Sequence, residues 1–183
     1  MKETLYFHPS APSAQNQFNE KLLALIERTK KTHQTPVLVC IGTDRVTGDC
    51  LGPLVGHYVD KEQLPLPIIT YGTLKSPIHA KNLSRTLSHI YRHIPFPYMI
   101  GIDACLGLPS HIGYVTLSNH PLHPGKGLHK RLPPVGTISI TGIVGDYGTH
   151  NFSSIQEARL YDIVQLASFI ANGIINLASY LPL

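Results

Sequence analysis

Charge is scarce in this chain: Asp, Glu, Lys and Arg make up 14% of its 183 residues, against 43% hydrophobic. So little charge beside so much Ile, Leu and Val excludes intrinsic disorder for the body of the chain. Cysteine is scarcer still. Cys40, Cys50 and Cys105 are an odd set without C-x-x-C spacing. That pattern argues against a disulfide framework or a zinc site and for reduced thiols in a cytosolic protein. No apolar run approaches the roughly 20 residues that span a bilayer. The first residues, MKETLYFHPS, lack the apolar core and cleavage site of a signal peptide. The expectation is a cytoplasmic protein with no membrane partner.

Several motifs are also missing. There is no G-x-x-x-x-G-K-[ST] and no G-x-G-x-x-G, so nucleotide binding has no support, and no G-x-S-x-G elbow, so neither has a serine hydrolase. The net charge of +4 and pI near 9.0 invite nucleic acid as a partner. The basic residues are scattered, however, and the densest clusters, Lys30–Lys31 and Lys126–Arg131, are too short to track a phosphate backbone. No nucleic-acid partner is expected.

What is present reads as one domain, large enough to bury roughly 70% of its unfolded surface. Residues 1–14, with two prolines and small polar residues, are expected to form a flexible N-terminal arm, and 15–183 a single α/β/α domain. Phe18, Leu22, Leu25 and Ile26 recur at helical spacing up to about Arg28. Val37 to Ile41 is a continuous apolar run, the mark of a strand buried on both faces. It runs through Gly42 and a polar loop into a helix from Leu51 to about Tyr58, with Pro53 in the first turn. Ile68–Tyr71 reads as a strand, Ser76-Pro77 as the start of a helix to about Ile94, and Pro97–Ile102 as a third buried strand ending at Asp103. Ile112–Leu117 and Thr137–Val144 are further strands, the second more alternating and so placed near an edge. A Gly/Pro/His-rich loop, Ser118–Pro134, joins them. A long helix, Ser154 to Ser179, closes the chain despite Gly173. Its apolar surface could pack inside the domain or form a dimer seam. Strands alternating with helices predict a three-layer α/β/α sandwich.

Ligands of such sheets gather at the carboxyl ends of the strands. One buried strand runs into Gly42–Asp49 and another ends in Asp103, so Asp49 and Asp103 face one cleft if both strands are central and parallel. Two carboxylates in a partly dry site push their pKa values apart, leaving one as acid and one as base. The same pair could hold a divalent cation. Structural roles compete: Asp49 precedes an apolar run and could be a helix N-cap, Asp103 could cap a turn, and Asp44 could be a loop residue paired with Arg45. In the loop of His120, His123 and His129, a histidine could move protons or bind metal, or simply be solvated. His57, His79, His89 and His93 fall on predicted helices as surface or core fillers. Cys50 and Cys105 lie beside the aspartates, whose charge opposes thiolate formation, and read as small packing residues.

The segment Cys40 to Gly56 (CIGTDRVTGDCLGPLVG) closely resembles the signature of the YyaC family of sporulation proteins. Ile102–Gly107 (IDACLG) and Val135–Val144 (VGTISITGIV) resemble two further blocks of it. More distantly, the chain resembles germination protease of bacterial spores, with its T-x-D-x-L-G-P loop, I-D-A strand end and H-P-G loop, and the hydrogenase maturation endopeptidases. These resemblances imply a mostly parallel mixed sheet in a phosphorylase/hydrolase-like, hydrogenase maturation protease-like fold. They imply catalytic roles for Asp49 and Asp103, with His123 assisting proton transfer. Thr43, Asp44, Thr47, His120 and Gly125 are the candidates for holding substrate. The first expectation is thus an endopeptidase that requires no cofactor, acting on a protein or peptide such as the small acid-soluble spore proteins. It would work in the mother cell or forespore cytoplasm. The second is a metal-recognition pocket of Asp49, Asp103 and His120, as in the hydrogenase endopeptidases. The third is a non-catalytic peptide-binding or assembly protein on a protease-like scaffold.

Overall fold

The computed structural model describes residues 2–62, 68–125, 132–148 and 155–178. Among the described residues the strands and α-helices follow in the order β1 (Thr4–Phe7), α1 (Ala14–Thr29), β2 (Thr35–Cys40), α2 (Leu51–Lys61), β3 (Ile69–Tyr71), α3 (Leu83–His93), β4 (Pro97–Gly107), β5 (Val115–Ser118), β6 (Ile138–Asp146) and α4 (Leu160–Ala178). The strands form one sheet in the order β1-β5-β6-β4-β2-β3. β3, β2, β4 and β6 are mutually parallel, while β5 runs antiparallel to both β6 and β1. The mostly parallel mixed sheet expected above is present.

An unbroken apolar run has no polar residue to turn toward water, so both faces of β2 must be covered. Alternate residues go to opposite sides of the pleat. Leu38 and Cys40 join Ile100 and Ile102 of β4 in a core under α1, α2 and α4. Val37, Val39 and Met99 join Leu83, Leu87 and Ile90 of α3 on the other face. The result is the predicted α/β/α sandwich.

Four expectations are corrected. The first residues are not a loose arm throughout: Thr4–Phe7 pair with β5 in the register Thr4↔Ser118 to Phe7↔Val115. Phe7 is buried edge-on against Phe18 of α1, with ring centroids 5.3 Å apart. β6 is not an edge strand. It lies between β5 and β4 and buries both faces, because Ile140 and Ile138 meet helices while Thr141 bonds Thr116 of β5 and Ser139 donates to the His120 carbonyl in the loop that covers it. β4 does not stop at Asp103 but runs on to Gly107 beside β6.

The helix predicted from Ser76 begins only at Leu83. Ile78 is drawn out into a parallel bridge with Ile41, and the Asn82 side chain accepts the His79 amide at 2.8 Å and donates to the Pro77 carbonyl at 3.0 Å. Those bonds satisfy the backbone in a non-helical path, as Asn side chains commonly do.

α4 is, among the described residues, long and apolar enough to cross a membrane by length and composition, with a mean hydropathy of 1.3 over Leu160–Leu177. In this fold its Ile163, Leu166, Ile170 and Ile174 are buried in the core shared with α1 and α2. Gly173 has a packing reason: a Cβ there would lie 2.3 Å from Cε1 of Phe18.

Candidate active site

The chain passes from β2 through α2 to β3 on one side, then returns through α3 to β4 on the other side of β2. The strand order therefore reverses between β2 and β4, and a crevice opens outside their carboxyl ends. Cys40 pairs with Ile102, and the Ile41 amide donates to the Ile102 carbonyl at 2.7 Å. The residues that follow in each strand, Gly42–Asp49 and Asp103, are delivered to that crevice.

The first loop is folded tightly back on itself. Thr43 donates its amide to the Asp49 carbonyl oxygen at 3.1 Å, and Cys50 donates to Thr47 at 3.3 Å. Gly42 has a φ of 143°, and a Cβ there would sit 1.9 Å from the Asp49 carbonyl oxygen, so only glycine fits. Asp49 falls in a short 3-10 turn, Gly48–Cys50, that leads into α2. No side chain caps either the turn or the helix. The N-cap role that competes with chemistry at Asp49 is therefore not taken up. Nor does Asp103 cap a turn: it lies within β4, and its carboxyl oxygen accepts the Ala104 amide at 2.8 Å.

Asp49 opens into a cleft of about 610 Å³, lined also by Thr43, Asp44, Arg45, Lys75 and His79. Asp103 lies deeper, 9% exposed. Burial pushes the Asp49 carboxyl up to about 6, partly offset by the Thr43 backbone and the His79 charge. Burial raises Asp103 well above the usual carboxylate range, and the Asp49 charge raises it further. The two carboxyls thus feel one another and differ in environment, one half-buried and the other enclosed. Such a pair divides into an ionised and a protonated member near neutral pH. The neighbouring thiols stay protonated: burial raises Cys50, with Asp49 and Asp44 adding to the effect, and lifts Cys105 to about 11.

The remaining candidates divide. Thr43 and Asp44 line the cleft with Asp49. Thr47 braces the loop through its carbonyl rather than lining the cleft. His120 and His123, by contrast, make no hydrogen bond or ion pair with either aspartate among the described residues. Because β5 runs antiparallel, the chain leaves Ser118 opposite Ser139, toward the amino end of β6, and Asp103 lies opposite Thr141. His120 then sits at Thr4 of β1, with Nε2 3.5 Å from its hydroxyl. The His120 carbonyl accepts the Ser139 hydroxyl of β6 at 3.0 Å. His123 is exposed, and Gly125 (φ 75°) serves the turn after it. The metal set Asp49, Asp103 and His120 is not assembled, and no group of three His, Cys, Asp or Glu that could hold a metal ion occurs among the described residues. His129 lies outside the described residues.

The residue that sequence reading passed over is His79. The Ile41↔Ile78 bridge and the bond from the Gly42 amide to the Ile78 carbonyl (2.7 Å) hold it against the Asp49 loop. Its Nδ1 is buried without a hydrogen-bond partner. The signal was weak, since placing His79 depends on a contact between segments about 37 residues apart rather than on a local pattern.

Residues 6–173 match the family described as "Protein of unknown function (DUF1256)". The chain is also similar to "Uncharacterized protein YyaC" of Bacillus subtilis (strain 168), 41% identical over 138 residues that cover 75% of this chain and 67% of the relative. The T-x-D loop and the I-D-A strand that build the crevice are thus carried by a chain that belongs to the DUF1256, or YyaC, family.

Proposed function

We propose that this protein is an endopeptidase of sporulating bacteria that hydrolyses peptide bonds with the Asp49–Asp103 pair. The observation that carries the reading is the placement of two unequal carboxyls at the point where the strand order reverses, Asp49 in the cleft and Asp103 behind it. The resemblance of the two loops to germination protease supports the same roles. Asp49, ionised above about pH 6, takes a proton from a water whose oxygen bonds to the scissile carbonyl carbon. Asp103, the protonated member, gives its proton to the carbonyl oxygen. The carbon–nitrogen bond then breaks, the amine leaves with a proton, and Asp103 regains its own from the new hydroxyl. Water is consumed, an acid and an amine are released, and both carboxyls return to their starting states.

Thr43, Asp44, Arg45 and Lys75 around the cleft would hold the polypeptide. The substrate class is a protein or peptide of the spore, such as the small acid-soluble spore proteins, met in the mother cell or forespore cytoplasm. Intact-mass spectrometry of spore acid-soluble proteins incubated with wild type and with Asp103→Asn tests this. Discrete fragments with wild type alone are expected. Identical fragments from both proteins overturn the acid-pair mechanism. Intact substrate bound by both overturns the peptidase and leaves a peptide-binding protein.

A further inference from the structure

Charge is divided unevenly between the two layers that cover the sheet. From residue 63 to residue 145 the chain holds seven Lys or Arg and a single acidic residue, Asp103, which is buried. That stretch supplies α3, the helix on one face. On the other face the signs are mixed: α1 has Glu20 and Glu27 beside Lys21 and Arg28, and α2 has Asp60 beside Lys61. Leu83, Leu87 and Ile90 bury one side of α3 against the sheet. On its opposite side Arg85 and Arg92 stand two turns apart, about 10 Å along the axis, with Ser88 and His89 between them. All four are exposed. Lys81, just before the helix, and Lys75 are exposed as well, and line the Asp49 cleft with Arg45. Asp44 and Asp49 are the carboxyls that share that cleft. None of Lys75, Lys81, Arg85 and Arg92 makes an ion pair with a described residue, and every Asp and Glu of the chain is among the described residues. Cations that are scattered along the chain are thus gathered on one helix and its approach.

We infer that this face of α3 binds the phosphodiester backbone of nucleic acid, without regard to base sequence. The inference goes beyond the endopeptidase reading and does not rest on it. Phosphates recur about every 3.4 Å of axis along one strand of a duplex, so Arg85 and Arg92 span about three of them. Each guanidinium can take two phosphate oxygens at once. Contacts of this kind position a protein on nucleic acid and carry no sequence information. An acidic cluster on a protein needs cations only locally. A polymer charged at every residue is repelled by a carboxylate anywhere along its track, and α3 carries none.

The test is fluorescence anisotropy of two labelled DNA duplexes of unrelated sequence, titrated with the protein. Affinities equal within about twofold are expected, falling roughly 100-fold between about 50 and 200 mM salt as four phosphate contacts release their counterions. Arg85→Gln with Arg92→Gln should weaken binding by about tenfold or more and flatten the log–log salt slope by about 2. Lys21→Gln with Lys61→Gln removes the same charge from α1 and α2, and should change affinity by less than about twofold. Thermal melting confirms that both pairs of variants fold. An equal loss in the two pairs would assign binding to net charge alone and overturn the inference. So would a wild type that binds neither duplex at low salt. Displacement of the duplex by a glutamate oligomer of matched charge would make the partner an acidic polypeptide, and overturns it too.

Discussion

Asp49, in the loop that follows β2, and Asp103, within the adjacent parallel strand β4 just past the level where β2 ends, act on one another: the charge of Asp49 raises the pKa of Asp103. Among the described residues, neither carboxyl is paired with a lysine or arginine; the groups that favour ionisation of Asp49 are one backbone amide and His79, and for Asp103 the Ala104 amide. A stability-driven fold would pair or remove such groups, since burying an unpaired carboxylate is costly. Two such carboxyls in a crevice are what the proposed acid pair requires.

The pair sets the pH dependence of stability. The folded pKa of Asp49 is raised from an ordinary 3.8 to about 6, so folding favours its protonated form. The stabilisation is therefore complete below about pH 4 and is lost as pH rises through about 6, by at most about 3 kcal/mol. Urea unfolding of wild type and Asp49→Asn between pH 4 and 7 checks this. The wild type should lose stability over the interval, and the variant should lose less.

Under the proposed mechanism the same pair sets the pH dependence of cleavage. kcat/KM should rise through about pH 6 as Asp49 ionises and fall at higher pH as Asp103 loses its proton. The limbs belong to the pair rather than to either residue alone. A profile that is flat from pH 5 to 8 would contradict the assignment.

Asp103→Asn separates chemistry from folding. An amide resembles the protonated acid in shape and can still accept the Ala104 amide, which Asp103 receives at 2.8 Å. Cleavage should disappear while the unfolding free energy changes by less than about 1 kcal/mol. Thermal melting alongside the mass-spectrometric assay measures both.

Phe7→Ala tests whether the first strand belongs to the core. Phe7 is 8% exposed and packs on Phe18. Its loss should cost about 3 kcal/mol by urea unfolding, the usual scale for emptying a buried aromatic site. A loose arm would predict no change.

Gly173→Ala should also destabilise, by about 1–3 kcal/mol, although alanine is the better helix former. The added methyl would meet the Phe18 ring at 2.3 Å, and Phe18 is fully buried. A variant as stable as wild type would show that α1 can move aside.

Much of this architecture was legible from local pattern. The unbroken run Val37–Cys40 could only be a strand covered on both faces, and the polar loop after it had to reach the carboxyl end of the sheet, so Asp49 and Asp103 were found as a pair. What was missed depends on distant segments. Pro9 and Pro12 mark the N-terminal region as loop, and only the free edge of β5 makes Thr4–Phe7 a strand. The alternation in β6 suggested a wet face, but Thr141 turns toward Thr116 of β5 and Ser139 toward the His120 carbonyl of the covering loop. The direction of β5 was not readable from its residues, and that direction sets the His120 ring against Thr4 of β1. His79 reached the cleft through a bridge that no local period encodes.

The division of protons between Asp49 and Asp103 is measured most directly by carboxyl-carbon NMR of protein labelled at aspartate, titrated from pH 3 to 9 and assigned with the two Asn variants. The account predicts that Asp49 titrates near 6 and that Asp103 keeps the shift of a neutral acid at pH 7. Two carboxyls that both ionise near pH 4, in the ordinary range, would contradict it.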